Sequence, residues 1–206
     1  MLIEIARFEV RYLLRNPLLW LMAACTFALL FAGTSVEEFE LGSEGGLLVN
    51  AAYATLRNYV MVSVFFMLAT TSFVANAVSR DDETGFGPII RSTRITRFDY
   101  VMGRFLGAFV IAAACLLLVP LGVLAGSVMP WTNPAHLGPH RIADHLYAYF
   151  LIALPNLFIH SAIFFALATI TRSLMATYLG VIGFVTAFFV LEGGFRDKPQ
   201  LQAIVQ

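Results

Sequence analysis

The chain has 206 residues, of which 59% are hydrophobic and only 13% charged, with a mean hydropathy of +0.80. A soluble domain is about half apolar and a quarter charged, so this composition excludes an ordinary globular domain and reads as an integral membrane protein. Thirteen basic residues against thirteen acidic ones give a formal net charge of zero, which leaves no global field to attract nucleic acid.

Residues 2–15 place Glu4, Arg7, Arg11 and Arg15 on one helical stripe, with Ile3, Ala6, Val10, Leu13 and Leu14 elsewhere around the wheel. This predicts an amphipathic helix over 1–16. Its arginines can keep their guanidinium groups at the phosphates while the stems lie on apolar surface, so it is expected along a membrane face. A cleaved signal peptide is the alternative, but the following apolar stretch is long for one and more spans follow. Asn16-Pro17 breaks the pattern, and a first span is predicted over 18–35. Glu37, Glu38, Glu40 and Glu44, with Gly42, Gly45 and Gly46, then form an acidic loop.

A second span is predicted over 58–79 and a third over 105–129, neither carrying a formal charge after Asn58 and Phe105 respectively. Each exceeds the length that a hydrocarbon core of roughly 30 Å requires at about 1.5 Å per residue. Between them, 80–104 holds five arginines and four acids. A charge at the bilayer centre costs roughly 2.5–3.5 kcal/mol, so this connector is expected in water or at the headgroups. Pro130, Trp131, Pro134 and Pro139 punctuate the next loop, which also carries His136, His140 and His145. A fourth span is predicted over 146–171, with Pro155 inside it, where neighbouring helices must satisfy the freed carbonyl. A fifth covers 174–191 and is expected to end at Glu192-Gly193-Gly194.

Counting Lys and Arg in the loops orients this array. A cytoplasmic N-terminus puts Arg7, Arg11, Arg15, Arg80, Arg91, Arg94, Arg97, Arg104 and Arg172 inside, leaving Arg57, Arg141, Arg196 and Lys198 outside. The fold class is therefore all-α, a polytopic helical bundle with an interfacial N-terminal helix and about five spans. A sixth is expected in sequence beyond Gln206.

Motifs of catalysis are absent. There is no G-x-x-x-x-G-K-[ST] phosphate cradle, no H-E-x-x-H, no G-x-S-x-G and no paired cysteine and histidine nucleophile, so the chain is expected to be no enzyme and to bind no cofactor. Cys25 and Cys115 fall in apolar runs and read as packing residues; the loop histidines do not read as a metal site. His160 lies inside the fourth span, where an ionisable group is a candidate polar site or a hydrogen-bonded structural residue. Gly103-x-x-x-Gly107 and Gly122-x-x-x-Gly126 have the spacing that lets helices approach closely.

The connector carries Asp82-Glu83-Thr84-Gly85, then Pro88-Ile89-Ile90-Arg91-Ser92-Thr93-Arg94, then Arg97-Phe98-Asp99-Tyr100 and Gly103-Arg104. In this layout, with an amphipathic helix before the first span, the chain resembles the ABC-2 type transporter permeases. The resemblance implies a half-transporter that pairs with a second copy or a homologous half. It also implies an ATP-binding cassette subunit that carries the ATP and magnesium and docks on a coupling segment containing Asp82, Glu83, Gly85, Pro88, Arg91, Arg94 and Arg97. The location it implies is a bacterial inner membrane. Two other classes stand beside it: a non-transporting scaffold whose connector recruits a cytoplasmic partner, and an ion-coupled carrier using His160 and Glu192.

Overall fold

The computed structural model describes residues 1–36, 48, 50–64, 66, 94–171 and 173–196, with Leu174 and the last six of these as backbone alone. Every regular element among them is helical. Helix α1 spans Leu2–Leu14, α2 Pro17–Ser35, α3 residues 52–64, α4 Arg97–Leu116 and α5 Leu118–Ser127. Helix α6 (Ile142–Tyr147) widens into a π-helical segment at Ala148–Ala153 and continues as α7 (Leu154–Thr171), after which α8 covers Leu174–Arg196.

Local chemistry sets the boundaries. The Asn16 side chain accepts from the Leu18 N–H at 2.9 Å and Pro17 occupies the first helical position, so α2 starts where α1's ladder fails. Thr96 caps α4 by accepting from the Asp99 N–H at 3.0 Å, and Asp99 itself lies in the first turn, where the helix dipole favours a negative charge. The break between α4 and α5 falls three residues before Pro120, which has no N–H to give to the Leu116 carbonyl.

Among the described residues, three helices are long and apolar enough to cross a membrane: Pro17–Ser35, Arg97–Ser127 and Ile142–Thr171. A shorter apolar helix, Met175–Val190, belongs to α8. The expected third span began at 105, whereas the helix begins at Arg97. Its 31 residues are about 46 Å long, so its first turns reach past a hydrocarbon core of roughly 30 Å. The fourth begins at Ile142 rather than 146, and α8 runs through Glu192-Gly193-Gly194 instead of ending there. Helix α3 starts before the expected 58, and the rest of that predicted span, from 67 on, lies outside the described residues.

Contacts between helices fix their directions. Gly103 meets Leu2 and Ile5 while Gly107 meets Ala6 and Glu9; Gly122 meets Phe27 and Leu30 while Gly126 meets Phe31 and Thr34. Numbers rise together on both sides, so α1 and α2 run parallel to α4 and α5. Tyr149 reaches Ala113, Phe158 packs on Phe109 and Phe105, and Phe165 packs on Phe105, so α7 runs antiparallel to α4. Ring contacts from Tyr59 to His145 and Tyr149, followed by a bond between Ser63 and Asn156, set α3 parallel to α6 and α7. A core of Leu13, Tyr59, Phe105, Ile111, Leu116, Leu157 and Phe165 joins these helices, and a smaller cluster of Phe164 and Val181 joins α7 to α8.

Candidate functional site

Two features stand out at the centre of this bundle: a buried ion pair where α1 meets α4, and a polar seam where two broken helices face one another.

Glu9 and Arg104 form the ion pair, with Arg104 Nη1 donating to Glu9 Oε2 at 2.6 Å. The side chains are only 1% and 6% exposed, so the connector's last arginine is shielded inside the protein by its partner. The cost of one charge in an apolar medium does not carry over to a paired one, because each member supplies the other's counter-charge and hydrogen bond. Arg104 also lies over the Tyr100 ring, 5.3 Å from its centroid. Gly107 makes room for the pair: it sits one turn past Arg104 on the same face, and a Cβ there would stand 2.6 Å from the Glu9 Cβ. Helix α1 is thus two-sided. Its Leu13 and Glu9 face α4, while Arg7, Arg11 and Arg15 lie on the exposed face.

The seam begins at the α4–α5 break. There the Leu117 N–H bonds the Ala114 carbonyl at 3.1 Å, one residue short of the helical acceptor Ala113. The Tyr149 hydroxyl donates to the Ala113 carbonyl at 3.0 Å. Tyr149 itself lies in the π-helical segment, which precedes Pro155. Proline removes an N–H and crowds the carbonyl four residues back, and a π turn re-spaces the ladder to accommodate it. Each irregularity therefore faces the other, and a side chain from one satisfies backbone released in the other. Below them Asn156 Nδ2 donates to Ser63 Oγ at 2.8 Å, tying α7 to α3. Asn58, Thr55 and Ser63 are all buried on α3, so this helix presents its polar groups inward.

At the seam's end the Asn50 amide clamps the loop after α5. Its Oδ1 accepts from the Gly138 N–H at 2.6 Å and its Nδ2 donates to the Gly138 carbonyl at 2.7 Å, with His140 Nδ1 3.3 Å from the same Nδ2. Gly138 fits here because a Cβ would lie 2.8 Å from Leu48 Cδ1. Asn50→Ala removes the partner of both backbone polar groups of Gly138. The Gly138 amide should then exchange with deuterium about tenfold faster, corresponding to about 1.4 kcal/mol of lost protection, while the α4 core keeps its rate.

Of the residues singled out from the sequence, Arg94 and Arg97 are exposed at the entry to α4. Asp82, Glu83, Gly85, Pro88 and Arg91 lie outside the described residues. His160 is partly buried one turn past Asn156, its ring edge-on to Phe184 of α8 with centroids 4.9 Å apart. All four glycines of the two G-x-x-x-G motifs lie against helices of the same chain, at separations that a Cβ would reduce below 3.0 Å. Glu9, Asn50, Ser63, Tyr149 and Asn156 were not anticipated. Glu9 alone left a trace, a charge on the apolar stripe between Ile5 and Leu13 at i−4 and i+4. Among the described residues no group of three or more His, Cys, Asp or Glu side chains is placed to hold a metal ion. The seam joins helices and the following loop through side-chain hydrogen bonds of Tyr149, Asn156, Ser63 and Asn50.

No protein-family model, curated protein or solved structure matches this chain.

Proposed function

We propose that the chain is the membrane-spanning subunit of an ABC-2 type exporter, moved by a separate ATP-binding subunit that docks on 80–104. The observation that carries this reading is the continuity from connector to bundle. The connector feeds directly into α4, and within two turns Arg104 of that helix is locked to Glu9 of α1. A push delivered near Arg94 would therefore move α1 and α4 together, and α4 ends at the break that faces the π-helical segment. A lever joined to a seam of two helical irregularities is the kind of element that conformational transport needs. The N-terminus and connector are cytoplasmic in this reading, the membrane is a bacterial inner membrane, and a second copy or homologous half completes the transporter.

The test is biochemical. The full chain should co-purify with a soluble P-loop ATPase, and Glu83→Ala or Arg94→Ala should uncouple ATP hydrolysis from transport while leaving the helical content unchanged. A stable, transport-active complex containing no nucleotide-binding subunit would overturn the proposal.

A further inference from the structure

We infer that the clamp between the entry of α3 and the loop after α5 is an acid-sensitive latch, closed while His140 and His145 are neutral and released when they take up protons. The hydrogen bonds themselves fix the state of the first ring. The Gly138 N–H can only donate, so the atom of Asn50 that faces it at 2.6 Å is the amide oxygen. The Gly138 carbonyl can only accept, so the atom that faces it at 2.7 Å is the amide nitrogen. That nitrogen also stands 3.3 Å from His140 Nδ1. It has only hydrogens to offer, so Nδ1 must present a lone pair, and the His140 ring is neutral with its proton on Nε2. A second ring proton would set N–H against N–H. His140 is exposed, so water can deliver that proton.

His145 makes the same demand by a different route. Its ring, on α6, meets Tyr59 of α3 edge-on with centroids 6.2 Å apart, and its Nδ1 is buried with no hydrogen-bond partner among the described residues. Tyr59, itself only 1% exposed, is edge-on to Tyr149, whose hydroxyl serves the Ala113 carbonyl. A proton on His145 Nδ1 would bury an N–H that has no acceptor. The charged groups around the two rings are few. Asp144 lies beside His145 and attracts a charge there, whereas His140 repels it. Arg141, between the histidines in sequence, is exposed and adds a like charge. Across the contact Tyr59 and Tyr149 are neutral phenols, and Arg57, two positions from Tyr59, falls on the far side of α3.

Acid therefore places two mutually repelling imidazolium rings in the latch, one of them opposite an amide donor. The contact that joins α3, the loop and the start of α6 then opens. A histidine that must be neutral in the closed form and can charge in the open one leaves the latch intact above about pH 6.5, and favours opening about tenfold at pH 5.5. This inference does not depend on the transport reading.

Hydrogen–deuterium exchange of the full-length protein in one detergent, at about pH 7.5 and 5.5 and corrected for the intrinsic pH dependence of amide exchange, is the test. The Gly138 amide should be at least about tenfold less protected in acid, while the buried α4 core around Ala108 keeps its protection. His140→Gln keeps an acceptor for the Asn50 amide, His145→Phe keeps a ring against Tyr59, and neither replacement can charge. Each single variant should lose part of the acid response, and the double variant should hold the latch closed at both pH values. His136→Gln, which removes the remaining loop histidine, should respond as the starting protein does. Equal Gly138 protection at the two pH values overturns the inference. So does protection that rises in acid, because Asp144 would then be holding a charged His145 in the closed latch. An acid response that survives in the double variant overturns it as well, since the proton would then act elsewhere.

Discussion

Arg104→Ala should largely abolish recovery of folded, monodisperse protein, with a loss of about 3–5 kcal/mol, and Glu9→Ala should do the same. Either change strands a charge in a site that is almost wholly shielded, with the partners' side chains only 1% and 6% exposed. Removing both charges is a different matter, because an ion pair repays its desolvation only partly and an apolar pair of similar volume is often as stable. Glu9→Met with Arg104→Met should therefore recover most of the stability that either alanine variant loses. Thermal unfolding of the starting protein, Glu9→Met, Arg104→Met and the double methionine variant in one detergent closes the double-mutant cycle. Additive losses would show that the two residues do not act as a pair. If the pair is a transmission element as well as a packing one, the double methionine protein should be stable yet respond differently to ATP. Stability and coupling are thus read separately.

How much of this was written in the sequence depends on the feature. The membrane class, the helical elements and the punctuation at Asn16-Pro17 follow from composition, apolar run length and capping chemistry, all local properties. The glycine spacings were equally plain, but the helix each would meet was not. Helix α1 offers Leu2, Ile5, Ala6 and Glu9 to Gly103 and Gly107, a surface with no glycine of its own to announce the contact. The burial of Arg104 has no local signal, because the penalty for a lone charge is counted residue by residue and its partner lies 95 positions away. The seam was half visible. Pro155 signalled a carbonyl that needs a neighbour, yet the answering event, a π turn whose Tyr149 serves Ala113 on another helix, is a tertiary bargain that hydropathy does not record. The connector's acidic and proline segment, from which the functional resemblance was drawn, falls outside the described residues.

Gly107→Leu is expected to be about as damaging as losing the ion pair itself, and for a related reason. A Cβ at 107 would approach the Glu9 Cβ to 2.6 Å and the Ala6 carbonyl to 2.8 Å, and the second of these is backbone that cannot step aside. Overpacking alone costs about 1–3 kcal/mol. Here the displaced side chain is also the one that neutralises Arg104, so the clash and the loss of charge pairing fall on the same contact. Gly126→Leu provides the comparison. Its Cβ would meet the Phe31 carbonyl at 2.8 Å and the Thr34 Cβ at 2.8 Å, a similarly tight approach with no ion pair beside it. Both variants should be destabilised, Gly107→Leu by about 2 kcal/mol more if it also breaks the pair. In the Glu9→Met, Arg104→Met background, where no pair remains to break, that excess should disappear. Equal losses for the two glycines in both backgrounds would mean that Gly107 serves close packing alone, and that Arg104 can be satisfied without Glu9 held over the glycine.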